Sequence, residues 1–325
     1  VEDRLRNDWL LELGKRRDWA NFAAELPRFR MNDDREVSCY GLLVDHQSGK
    51  DVRDAALAAW LAQRDADDGC QLLASTLFDA KVLGSADVWR KARFAIDAGR
   101  PRAARQAAVL ISPTVANAVG DLSDNPARYL AKQASATPRA SAELATLALM
   151  RMAGTDADAA AAQLNDRWDR ALPADLAAWA WAAVAKQAAM KLQPDASEHY
   201  QRAALRATKG EAAIDWPDET LAWKVRAGLR AEQGRGRWQQ VLQAINAMGA
   251  AEQRDPAWVY WKARGLQALA KDSQDGEALG TLAREQLEGI AGQLHFYGML
   301  AAEDLGWTIP MPALPAALTP AEREG

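Results

Sequence analysis

The stretch VWRKARFAIDAGRPRAARQAAVLI, residues 88–111, decides the fold. Val88, Trp89, Ala92, Ala95 and Ile96 recur at the spacing of one helical face. Gly99 supplies a helix stop, and Pro101 is suited to the first position of the next helix. Ala103, Ala104, Ala107, Ala108 and Ile111 then form a second apolar stripe. The reading is a pair of helices joined by a short Ala-Gly-Arg-Pro corner.

The same pattern recurs downstream. Asp218 is placed as an N-cap ahead of Leu221, Val225 and Leu229, which repeat every fourth residue. Gly234-Arg235-Gly236 reads as the turn, and Trp238, Val241, Leu242, Ile245 and Met248 as the return helix. Asp255-Pro256 opens a third pair, with Trp258, Trp261 and Gly265 on one strip and Val259, Ala263 and Leu266 beside it. Leu279, Ala283, Leu287 and Ile290 belong to its partner. Trp223 and Trp258 are 35 residues apart, close to the period of tetratricopeptide-like arrays. Alanine dominates from about residue 55 to 250, and alternating runs rich in Val, Ile and Thr are lacking. The expectation is an all-α chain. Hairpins with apolar residues on more than one face must stack on neighbours to bury them. That gives a right-handed α-superhelix, a tetratricopeptide-like solenoid of degenerate repeats curved into an arch or partial ring.

Residues 1–307 are read as this scaffold. Residues 308–325 carry prolines at 310, 312, 315 and 320, too dense for a helix, and read as an extended connector at a domain boundary.

Composition excludes much chemistry. The 325 residues are 49% apolar and 26% charged, a core-forming mixture, and the net charge of −4 lacks the basic footprint of a nucleic-acid binder. No apolar run is long enough for a membrane span. His46, His199 and His295 lie far apart without companion ligands, so no metal site is expected. No GxSxG, Walker or GxGxxG motif occurs, so neither a catalytic centre nor a cofactor site is expected. Cys39 and Cys70 are an even pair that permits one disulfide, with two reduced core thiols or a redox pair as alternatives.

Four passages carry a family resemblance. They are Leu5-Arg6-Asn7-Asp8-Trp9-Leu10 with Arg16-Arg17-Asp18-Trp19; Cys39-Tyr40 with Gly69-Cys70 and Leu77-Phe78; Trp258-Val259-Tyr260-Trp261-Lys262-Ala263-Arg264; and His295-Phe296-Tyr297-Gly298-Met299-Leu300-Ala301-Ala302. Together they resemble the N-terminal α-superhelical region of the soluble lytic transglycosylases of Gram-negative bacteria. The resemblance implies a periplasmic enzyme that cuts the β-1,4 bond between N-acetylmuramic acid and N-acetylglucosamine without water, leaving a 1,6-anhydro ring. In that family one glutamate acts as acid and then base, within a Glu-Ser motif shortly before Gly-Leu-Met-Gln in a C-terminal domain. Neither motif occurs in these residues, so no catalytic residue is carried over.

The implied partners are peptidoglycan glycan strands and the chain's own C-terminal catalytic domain. The implied task is to seat that domain and limit which strands reach it. Export favours a structural Cys39–Cys70 disulfide over the other two readings. Trp307, beside the proline-rich tail, and Tyr297 are candidates for contact with the catalytic domain. Trp9, Trp89, Trp223, Trp238, Trp258 and Trp261 sit on apolar stripes and are assigned to core packing rather than sugar stacking. The basic clusters Lys15-Arg16-Arg17 and Arg100 to Arg105 are read as solvated helix ends. Arg235-Gly236-Arg237 is read as a loop. Glu303 and Asp304, adjacent on a helix, point apart and cannot flank one bond. His295 is assigned a packing or capping role. The rival reading is a tetratricopeptide-like scaffold that binds a protein partner and has no enzymatic activity.

Overall fold

A computed structural model describes residues 2–64, 66–209 and 214–308. Among them every regular element is helical, and no strand occurs. The chain divides into two compact units, Val1–Asp215 and Trp216–Gly325. Helix starts are fixed locally. Asp34, Asp67, Ser112, Asn125 and Asp156 each accept a hydrogen bond from a backbone N–H of the turn they cap, satisfying donors a helix cannot pair internally.

The first unit begins with the helices Glu2–Arg16 and Trp19–Glu25. Leu10, Leu13, Phe22, Phe29, Val37 and Tyr40 form their core. Trp9, expected in this core, is instead 50% exposed. Leu10 and Leu13 occupy the buried face, and Trp9 shares an outward strip with Leu5, four residues earlier. Further along, Leu43, Trp60, Leu73, Leu77 and Val88 pack around the paired Cys39 and Cys70.

The stretch that decided the fold forms helices Ser85–Asp97 and Pro101–Ala108, with Gly99 in the left-handed region between them. Their stripes face inward as expected: Val88, Trp89, Ala92, Ala104 and Ala107 are all buried. The Ala-rich helices Arg139–Thr155 and Ala174–Met190 are buried on nearly every face. Alanine makes this arrangement feasible, because its small side chain lets neighbouring helix axes approach closely on several sides.

Charge is also buried in this unit. Lys186 Nζ pairs with Asp97 Oδ2 at 2.9 Å, the two side chains only 3% and 4% exposed. Glu143 is gripped by Arg93 and Arg139, and Arg139 also reaches Asp175. All but the Arg139–Glu143 pair join different helices, and the pairs satisfy charges that would be costly alone.

The second unit contains the helices Asp218–Arg230, Trp238–Ala247, Pro256–Ala270, Gly276–Ile290 and Phe296–Leu305. The expected turn between the first two is present, with Glu232, Gln233, Gly234 and Gly236 all at positive φ. Asp218 is not the N-cap. The helix begins at Asp218 itself, behind Pro217, and Asp218 Oδ1 accepts the Gly249 N–H at 2.8 Å. That bond ties the foot of the first helix to the end of the second. Asp255 does cap its helix, accepting from Ala257 N at 2.8 Å, with Pro256 in the first turn. Tyr260, Ala263, Leu266, Ala283, Leu287, Ile290, Ala301 and Ala302 form the core. The proline-rich connector lies outside the described residues, apart from Thr308.

Candidate functional site

The second unit holds a cleft of about 300 Å³. Arg226 and Leu229 reach it from the helix Asp218–Arg230. Glu252 comes from the short turn Glu252–Arg254 and Asp255 from the cap that follows. Ala257, Trp258 and Trp261 come from Pro256–Ala270, and Tyr297 from the last helix.

The 35-residue spacing noted in the sequence has a geometric result here. Trp223 and Trp258 occur on the leading helices of successive hairpins, and both lie against Arg226. Its guanidinium carbon is 4.8 Å from one ring centroid and 5.3 Å from the other. Such stacking fixes the guanidinium plane without using its N–H groups. Trp258 is buried, whereas Trp223, Trp238 and Trp261 are only half-buried rather than fully in the core. Trp258 Nε1 donates to Glu252 Oε1 at 2.8 Å, which fixes that carboxylate.

The far wall is aromatic. Tyr297 leans on Tyr260 with centroids 5.7 Å apart, and Tyr260 meets Trp261 edge-on at 5.4 Å. The Tyr260 hydroxyl donates to Asp304 Oδ2 at 3.2 Å and accepts from Arg264 Nη1 at 3.0 Å. Arg264 and Asp304 also pair at 3.0 Å, locking the last helix to Pro256–Ala270. Burial pushes the Tyr260 phenol above its usual range, outweighing the neighbouring Arg264. Asp304 thus has a tethering role, and His295 caps the last helix by accepting from Gly298 N at 3.0 Å. Gly298 is required by close approach: a Cβ there would lie 2.1 Å from the Gln293 carbonyl oxygen.

Cys39 and Cys70 form a disulfide with Cα atoms 4.9 Å apart. It joins the helices Arg35–Gln47 and Asp68–Asp79 and closes a loop of 31 residues. A loop of this size restricts the unfolded chain by about 3–4 kcal/mol in the entropic account. Next to it, Tyr40 donates to Asp68, which also pairs with Arg17. The Arg17 guanidinium holds the Asp68 carboxyl below its usual range, against the opposing effect of burial. Arg17, read as part of a solvated helix end, is therefore a structural partner.

The site residues expected from sequence are divided between the two units. Tyr297 lines the cleft, Trp307 is 45% exposed after the last helix, and the disulfide belongs to the first unit. Arg226 and Glu252 were not singled out by sequence reading. The signal available was the i, i+3 spacing Trp223–Arg226 repeated as Trp258–Trp261 on the next hairpin. Among the described residues, no group of three or more His, Cys, Asp and Glu side chains could hold a metal ion. No described helix is long and apolar enough to cross a membrane.

No protein-family model matches the chain, and no curated protein matches it in sequence. Among solved structures, an inactive mutant of the lytic transglycosylase Slt from Pseudomonas aeruginosa matches 98% of this chain at 23% identity with a TM-score of 0.55. The two share a fold. The chain spans 50% of the length of that structure. The 70 kDa soluble lytic transglycosylase Slt70 from Escherichia coli matches 99% of this chain at 20% identity and a TM-score of 0.46, again over 50% of its own length. A complex of the 70 kDa soluble lytic transglycosylase with bulgecin A gives 21% identity, 99% and 50% coverage and a TM-score of 0.45.

Proposed function

We propose that this chain is the helical, non-catalytic part of a periplasmic lytic transglycosylase. The parent protein cleaves the β-1,4 bond between N-acetylmuramic acid and N-acetylglucosamine in peptidoglycan and forms a 1,6-anhydro product. The helical part seats the catalytic domain and restricts which glycan strands approach it. The observation that carries this reading is the fold shared with the Pseudomonas aeruginosa enzyme over 98% of this chain and half of that one. Two features support it further. The sequence contains neither Glu-Ser nor Gly-Leu-Met-Gln, and the reading assigns no acid–base glutamate to these residues. The Cys39–Cys70 disulfide suits an oxidising compartment such as the periplasm. Trp307, half exposed beyond the last helix, is proposed to meet the catalytic domain.

Sequencing the gene on both sides of these codons tests the reading. An upstream export signal and a downstream lysozyme-like segment with both motifs are expected. An open reading frame that lacks the downstream segment would overturn it in favour of a protein-binding scaffold.

A further inference from the structure

We propose that the cleft between Arg226, Glu252, Asp255, Trp258, Trp261 and Tyr297 is a binding subsite for a neutral sugar ring of a glycan strand. It rests on the peptidoglycan reading above and adds a contact point in the helical part.

The cleft presents fixed hydrogen-bonding groups beside aromatic faces. Arg226 makes no ion pair or hydrogen bond among the described residues. It is clamped by Trp223 and Trp258 instead, which leaves its edge N–H groups available. Glu252 commits Oε1 to the Trp258 indole, and Asp255 commits Oδ1 to the Ala257 N–H. Each carboxylate is thereby oriented by one oxygen, while no described residue donates to its other oxygen. Preoriented acceptors and a preoriented donor in one small cleft suit a ligand whose groups both donate and accept, as sugar hydroxyls and N-acetyl groups do. Trp261 and Tyr297, both half-buried, supply an apolar wall for the C–H face of a pyranose.

Charge narrows the ligand class. Two carboxylates against one guanidinium repel phosphates and free carboxylates, while Arg226 inside the same cleft opposes an ammonium group. A volume of about 300 Å³ is at the small end of ligand pockets, so the site would hold one or two rings rather than a folded partner.

The test is a titration of the whole chain with the β-1,4-linked tetramer of N-acetylglucosamine, following indole N–H signals by NMR. The Trp258 and Trp261 signals are expected to shift and saturate, while those of the deeply buried Trp60 and Trp168 stay in place. Glu252→Gln combined with Asp255→Asn keeps an oxygen for the indole and for the helix cap. It is expected to weaken binding by about tenfold or more, the loss of one or two charge-assisted hydrogen bonds. Trp261→Ala is expected to do the same by removing the wall. Unmoved Trp258 and Trp261 signals, equal affinity in the double variant, or saturable binding of tetralysine in place of the sugar would each overturn the assignment. Wild type and double variant sedimenting equally with purified sacculi would overturn the cleft alone. The peptidoglycan reading fails separately, on the gene sequence.

Discussion

Gly14 shows how much of the packing is decided by single atoms. A Cβ at this position would lie 2.3 Å from the Tyr40 ring, and Tyr40 is wholly buried. Gly14→Ala should therefore destabilise by about 1–3 kcal/mol through overpacking, seen as a lower urea midpoint with an unchanged slope. Lys91 makes a second case. Its ammonium is buried and donates to the Trp60 and Gln63 carbonyls at the end of the helix Arg53–Ala62. Burial pushes its pKa from 10.5 down to about 8, and burial likewise pushes Lys224 to about 8. Between these values the unfolded chain holds more protons than the folded one, so both groups make stability rise with pH. Above the ordinary tyrosine value of 10.0 the trend is opposed, because buried Tyr40 keeps its proton when the unfolded chain loses it. Urea titrations from about pH 8 to 10 should show the rise, and Lys91→Met should remove about half of it, Lys224 supplying the rest. An unchanged slope in the variant would contradict this reading of Lys91. Neither Gly14 nor Lys91 was legible in the sequence, since each depends on a neighbour from another helix. Trp9 was misread for a related reason: periodicity marks two adjacent strips, and only packing selects the buried one.

At the scale of elements the hairpins were legible because their punctuation is local. Gly99 with Pro101, Gly234 with Gly236, and Asp255 with Pro256 mark ends that the backbone obeys. The Ala-rich middle carried little family signal, yet its helices Arg139–Thr155 and Ala174–Met190 are among the most enclosed. What the sequence hid were pairs that cross between helices. Asp97 and Lys186 are 89 residues apart, and Arg93 and Glu143 are 50 apart, separations at which charge patterning carries no information. The cleft was hidden similarly, its residues coming from two hairpins and the last helix. Asp97→Ala or Lys186→Met alone should cost about 3–5 kcal/mol by breaking a buried charge pair. The double variant should lose less than the sum by at least ~1 kcal/mol. Denaturant unfolding of all four proteins checks this, and strict additivity would show that the pair does not act as a unit.

For the whole molecule, composition and period were enough to give the helical class, and the shared fold agrees with it. The division near residue 215 left no clear mark, since hairpins of the same kind occur on either side. On the sequence side the proposed function rests on motifs alone: aromatic-glycine passages that resemble a lytic transglycosylase, and no acid–base glutamate motif among these residues. The central claim is that these residues hold and restrict a reaction carried out elsewhere in the parent protein. Its most direct test is to incubate purified sacculi with this chain and, separately, with the full-length gene product, and to assay released 1,6-anhydro-muropeptides. The account predicts release by the full-length protein and none by this chain. Release by this chain alone, or none from the full-length protein, would contradict it.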